Sequence, residues 1–243
     1  MRLTGRADLA KRDLQEVVRL RPDHRAARLQ LVLTLHHVGQ LPARDALLQR
    51  TLDEFDAQTI DLDNPDELFW LAEAARLAEQ YELANQSYQE VANIAPAATY
   101  AGVRWSYLFL QKYAGDLAGQ TLEEVFKVNP NFADAHAAMA AVESEGSYEL
   151  GKIRHHIEKA LEVNPKHEPA LLVRAALEID QNQWAAALAT TEQVLAINPQ
   201  STEAIALRAT IAWLRDDDKT YQAEKARAFA INPAYADLYR IVA

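Results

Sequence analysis

One spacing constrains this sequence more than anything else in it. A proline closing a short apolar-Asn-Pro sequence, or a close variant, recurs at Pro22, Pro96, Pro130, Pro165, Pro199 and Pro233. The last five are separated by 34, 35, 34 and 34 residues, and the first interval of 74 equals 34 plus 40. One unit has therefore lost its proline and gained about six residues. A fixed period of this length is the mark of an array in which each unit buries its apolar face against the next.

The residues between the prolines repeat too. Twenty-four residues before the last five prolines lie Ala72, Ser106, Ala141, Ala175 and Ala209. Twelve before all six lie Ala10, Ala84, Ala118, Ile153, Ala187 and Tyr221, and five before lie Val17, Val91, Val125, Ala160, Val194 and Ala228. Small side chains on two successive helices allow the close approach that interlocking helix surfaces need. Each unit reads as a pair of helices. Leu68, Leu71, Ala72 and Ala75 follow the i, i+3, i+4, i+7 pattern of one buried face, and Ala84, Tyr88 and Val91 follow it on a second helix. Asn64-Pro65-Asp66-Glu67 has the order of an N-cap, a first-turn proline and an acidic first turn. The Asn-Pro after each second helix stops it, because proline cannot continue the ladder and disfavours helical geometry in its predecessor.

A 34-residue helix–turn–helix unit with these small positions and this closing proline resembles the tetratricopeptide repeat, over essentially the whole chain. The fold class implied is all-α, a right-handed α-solenoid of antiparallel helix pairs. The expected organisation is one solenoid over 1–243: a half repeat 1–24, repeats 25–64, 65–98, 99–132, 133–167, 168–201 and 202–235, and a partial repeat 236–243. The least regular unit is 25–64, with Pro42 near the start of its second helix and a long acidic loop around Asp56–Asn64. Tyr221 and Lys225 depart from the pattern in the last repeat, so its second helix is expected to pack differently. The phase at both ends leads to the expectation of a piece cut from a longer array.

The resemblance also implies where a partner binds. The inner wall of such a superhelix is formed mainly by the first helix of each repeat, which places there Leu29, Leu33 and His36; Asp66, Phe69, Glu73 and Arg76; Tyr100, Val103 and Tyr107; Leu172, Ala176 and Ile179; and Ala206, Thr210 and Trp213. Trp70 and Arg104 join this candidate groove, while Trp105 and Trp184 fall in core phase. Chaperone adaptors of the family grip a C-terminal carboxylate with Lys and Asn; the matching positions here carry Leu29, Leu33, Phe69, Glu73, Val103 and Tyr107, which argues against that mode. The asparagine ladder of the protein O-glycosyltransferase repeats is replaced by Gln30, Trp70, Arg104, Ala138, Val173 and Leu207.

Nothing in the sequence points to chemistry. There is no HExxH, P-loop, GxGxxG or GxSxG motif, and no cysteine. The adjacent pairs His36-His37 and His155-His156 point about 100° apart on a helix, unlike ligands at i, i+4. Asp61-Leu62-Asp63 begins like a calcium loop, but Asp66 and Ala72 stand where glycine and the closing glutamate are required. No catalytic residue, metal site or cofactor is expected. Twenty-five Lys and Arg against 35 Asp and Glu leave a net charge of −10, which repels nucleic acid and anionic membranes. The basic cluster Arg19, Arg21, Arg25 and Arg28 reads as a solvated helix end. Asp216-Asp217-Asp218 reads as a helix cap, and Arg174 with Glu178 as an i, i+4 pair. No apolar stretch is long enough to span a bilayer. The opening residues lack an apolar signal segment, which favours the cytoplasm without fixing the compartment.

The function expected is a scaffold that binds a protein or peptide of unknown identity in its concave groove, without catalysis. The Ala-rich repeats from Ala160 onward are also similar to long bacterial proteins in which such arrays precede a metallopeptidase-like domain. On that alternative the chain is a non-catalytic arm, and the HExxH residues lie beyond Ala243. A further expectation is end-to-end self-association through Leu9, Leu14 and Val17.

Overall fold

The computed structural model describes residues 7–56, 60–146, 149–236 and 238. Among them lie thirteen helices and no strand. α1 (Ala7–Leu20) precedes six antiparallel pairs: α2 (Arg25–His37) with α3 (Leu41–Asp56), α4 (Pro65–Leu77) with α5 (Tyr81–Ile94), and α6 (Thr99–Gln111) with α7 (Gly115–Val128). α8 (Ala133–Glu145) pairs with α9 (Leu150–Val163), α10 (Glu168–Asp180) with α11 (Trp184–Ile197), and α12 (Thr202–Leu214) with α13 (Asp218–Ile231). The partial repeat expected over 236–243 lies, apart from Ala236 and Leu238, outside the described residues, as do the first six residues.

Local chemistry sets each boundary. First helices end in a turn with one left-handed residue: Gly39, Glu79, Tyr113, Asn182 and Asp216. The next amide reaches back five residues, as from Gln80 to Ala75 at 2.8 Å and from Gln183 to Glu178 at 2.8 Å, closing the helix in a Schellman-type turn. Second helices end at Asn129, Asn164, Asn198 and Asn232, each out of helical geometry. Their side-chain oxygens accept the amide two residues on, at 3.2, 3.0, 3.2 and 2.9 Å, so asparagine builds the turn that proline then enforces. Asn64 caps α4 through the amides of Asp66 and Glu67, and Asp217 caps α13 through Thr220. His24 and His167 cap α2 and α10 through Nδ1. Pro42 sits second in α3, where its missing N–H is not needed.

The small positions are the contact points. Ala72, Ser106, Ala175 and Ala209 are fully enclosed, as are Ala84, Ala118, Ile153 and Ala187. In the fourth pair the enclosed residue is Ala140, not Ala141. The extra residue of that 35-residue interval falls in the α8–α9 turn, so counting back from Pro165 lands one position late. Tyr221 is buried too, its ring 5.6 Å from that of Trp213, and α13 pairs with α12 like the other second helices. Arg28 is enclosed, not solvated, and pairs with Glu54, while Arg174 meets Glu178 at 2.9 Å.

Successive first helices touch one another in an unbroken row, α2 to α4, α6, α8, α10 and α12. Second helices pack against the first helix on either side. This arrangement is an α-solenoid whose inner surface is the row of first helices.

Candidate partner-binding groove

A cavity of about 830 Å³ opens on that inner row. Phe69 and Arg76 of α4, Tyr100, Val103, Arg104, Tyr107, Leu110 and Gln111 of α6, and Asp134, Ala141 and Glu145 of α8 line it. Tyr113 from a turn, Phe132 from the N-cap of α8 and Pro169 from α10 complete the wall. Helical phase explains the selection: Asp66, Tyr100 and Asp134 are successive residues at 34-residue spacing, as are Glu73, Tyr107 and Ala141.

The structure brings together Phe69, Arg76, Tyr100, Val103, Arg104 and Tyr107 from the sequence-derived set. Phe69 meets Tyr100 edge to face at 4.8 Å and Trp70 at 5.0 Å. Tyr100 donates its hydroxyl to Asp66 at 2.9 Å, and burial with that bond pushes its pKa up to about 12. Burial likewise pushes the Tyr107 hydroxyl up to about 12. Both phenols are therefore neutral donors at any physiological pH.

Glu73 stands behind this wall and organises its cations. It accepts Nε and Nη2 of Arg104 at 3.0 and 2.8 Å, weaker bonds from Arg76 at 3.4 and 3.3 Å, and the Tyr88 hydroxyl. Burial pushes the Glu73 pKa up, but the two guanidiniums and the Tyr88 bond outweigh it and hold the carboxyl near 2. Asp134 accepts Nε2 of His167 at 2.8 Å, and that bond, with the nearby Arg104 charge, holds its pKa below the ordinary value. Of the charged residues that line the cavity, Arg76 and Arg104 offset Asp134 and Glu145, so the lining is aromatic with balanced charge.

Other groove candidates lie elsewhere. Leu29 is fully enclosed in the cluster of Val32, Leu48, Leu52, Leu71 and Ala74, and Ile179 is buried with Ala175, Ala187 and Ile211. Neither can be touched by a partner without opening the core. Leu33, Leu172 and Ala176 are half-buried, and Ala206 and Thr210 are buried. His36 is exposed at the end of α2, with Arg44 at 3.2 Å. Trp213 is 55 % exposed at the far end of the row. Trp70 is half-buried between two core clusters, and Trp105 and Trp184 are half-buried as well, Trp105 donating to Asn85 at 2.8 Å. Asp134, Ala141 and Glu145 were not in the sequence-derived set, although the 34-residue count forward from Asp66 and Glu73 reaches the first two. Among the described residues no three His, Asp or Glu side chains gather as a metal site requires, and no helix is long and apolar enough to cross a membrane.

Comparison with known proteins gives the same architecture. A tetratricopeptide-repeat family model matches residues 150–211. A tetratricopeptide repeat protein from Parabacteroides merdae superposes with a TM-score of 0.66 at 18% identity, covering 98% of this chain and 91% of that one. A thermophilic protein of the same repeat class from Thermus thermophilus has a TM-score of 0.66 at 16% identity over 73% of this chain and 97% of its own. The PilF protein of Pseudomonas aeruginosa has a TM-score of 0.56 at 16% identity, covering 90% of this chain and 97% of its own. At such identities the likeness concerns the fold alone. No curated protein matches the sequence.

Proposed function

Because the chain is a tetratricopeptide-repeat solenoid, we propose that it is a non-catalytic scaffold that holds an extended peptide segment of a protein partner on its inner face. The cavity between α4, α6 and α8 is the seat. The observation that carries this reading is its lining: the Phe69, Tyr100, Tyr107 and Phe132 rings stand around one open space of about 830 Å³. Aromatic side chains clustered in a pocket are the usual anchors of a recognition surface. The carboxylates among the lining residues select among peptides. An apolar side chain seated between the rings, with a lysine or arginine beside it, meets both the ring faces and the carboxylates of Asp134 and Glu145. The net charge of −10 favours encounter with such a basic segment.

Selection of random dodecapeptides displayed on phage tests this reading. The parent chain is expected to enrich peptides that pair an aromatic or aliphatic residue with Lys or Arg. Their affinity should fall by about tenfold or more in a folded Tyr100→Ala/Tyr107→Ala variant, as loss of two anchors demands. Peptides that bind parent and variant alike would place the binding face elsewhere. Selection of acidic peptides would overturn the charge assignment while leaving the groove in place.

A further inference from the structure

The two ends of the array meet. The side-chain amide of Asn232, at the end of α13, donates to the backbone carbonyl of His36, in the last turn of α2, at 3.3 Å. The two residues are 196 positions apart. A second cavity, of about 430 Å³, lies on the same seam, with Lys11, Val38 and Gln40 on one side and Pro199, Arg227 and Ile231 on the other. Within the array the same kind of asparagine ties the end of a second helix to its own first helix: the Asn198 amide donates to Glu168 at 3.0 Å. Asn232 uses that donor to reach the first pair of helices.

Gly39 carries an independent trace of this contact in the sequence. It is the left-handed residue of the first α–α turn, with φ of 69°. The corresponding turns use Glu79, Tyr113, Asn182 and Asp216, at φ of 61°, 56°, 58° and 55°. Four turns out of five thus accept the strain of a side chain there, so the dihedral alone does not call for glycine at position 39. Room does. A Cβ on Gly39 would lie 2.5 Å from Asn232 Oδ1 and 2.9 Å from Pro233 Cδ. Glycine stands where the far end of the chain docks.

We infer that Gly39 and His36 form the seat of an intramolecular latch, on which the Asn232-Pro233 turn closes the solenoid into a ring. Its Asn232–His36 hydrogen bond is neutral, and among the described residues no helix of the last pair packs along a helix of the first, whereas neighbouring pairs within the array bury the faces of two helices. The seam is therefore the first place where the ring parts. While it is shut, a peptide reaches the inner wall only along the ring axis.

The absence of cysteine makes the test direct. Spin labels on a Gln40→Cys/Ala230→Cys pair, which flank the seam cavity, should give one short and narrow distance distribution in the otherwise unchanged chain. Adding Gly39→Ala should shift the closed–open balance toward open by about tenfold or more, as a forced contact of this kind implies. Asn182→Ala, at the equivalent turn remote from the seam, should leave the distribution unchanged and so separates clash from backbone strain. Asn232→Asp keeps the oxygen that accepts the Ala234 amide and replaces the donor by a charge facing the His36 carbonyl; it should open the ring without inserting an atom at position 39. Circular dichroism establishes that each variant is folded. A long or broad distribution in the parent pair overturns the latch. So does a Gly39→Ala distribution no different from that of Asn182→Ala, with Asn232→Asp equally without effect.

Discussion

Glu73 of α4 and Arg104 of α6 form a side-on pair, Nε and Nη2 of the guanidinium meeting the two carboxylate oxygens at 3.0 and 2.8 Å. The pair joins neighbouring first helices, and Arg76 and Tyr88 converge on the same carboxylate. Glu73→Gln removes the one negative charge between two guanidiniums, and the Arg76 side chain is only 9% exposed. Breaking a buried pair from one side costs about 3–5 kcal/mol, so the variant should unfold at clearly lower urea concentration. The folded-state pKa of Glu73 lies near 2, below its ordinary 4.5. Its stabilising contribution is therefore complete above pH 4.5 and is lost as pH falls from there toward 2. A urea midpoint in Glu73→Gln equal to that of the parent would remove the carboxylate from this role.

His136 and His156 titrate in a different window. His136 donates from Nε2 to the Pro130 carbonyl at 2.9 Å, which leaves Nδ1 bare to accept Nδ1–H of His156 at 2.9 Å. Both rings are neutral in this arrangement, and the His156 ring stacks on Phe126 at 5.9 Å. Burial lowers both pKa values, that of His156 to about 4; each is lowered further by His155, and Lys159 adds to the effect at His136. The Pro130 carbonyl and Glu162 at His136, and Glu143 at His156, act in the opposite sense. A depressed folded pKa means the unfolded chain takes up protons first, so stability is full above about 6.5 and declines as pH falls toward 4. Thermal melts from pH 7 to 5 should show a falling midpoint in the parent and a flatter profile in His156→Phe, which keeps a ring against Phe126. Parallel profiles would exclude the pair as the source.

The solenoid was legible because its signal is repeated. Six prolines and three sets of small or β-branched residues report the same helix pair, and each Asn-Pro has a local cause in the asparagine turn. Counting failed where the period changed: the extra residue in the α8–α9 turn moved the enclosed position from Ala141 to Ala140. The groove was legible in part for the same reason. Phe69, Tyr100, Val103, Arg104 and Tyr107 follow from helical phase, but phase cannot tell a wall residue from one wedged between helices, and Leu29 and Ile179 prove to be wedged. The Glu73 network links α4, α5 and α6 through side chains 15 and 31 positions away, and no periodicity encodes such a meeting. The seam is less legible still, because curvature accumulates over every repeat before Asn232 can reach His36.

Two helix glycines should respond to alanine with opposite signs. Gly102 lies within α6, and a Cβ there would stand 2.5 Å from Cγ2 of Val125 on α7, a buried and stiff side chain. Gly119 lies within α7, where a Cβ would meet only Val142 Cγ1 at an ordinary 3.8 Å. Replacing glycine by alanine inside a helix gains about 0.5–1 kcal/mol from the backbone in both cases. At Gly102 the forced contact costs about 1–3 kcal/mol and overrides that gain, because Val125 has few rotamers through which to yield. Gly102→Ala should therefore lower the urea midpoint and Gly119→Ala should raise it. Adding Val125→Ala to Gly102→Ala should recover part of the loss by making room, although Val125→Ala alone destabilises. If Gly102→Ala proved as stabilising as Gly119→Ala, α6 and α7 would stand farther apart than the structure places them, and the close approach read from the small positions would fail at this pair.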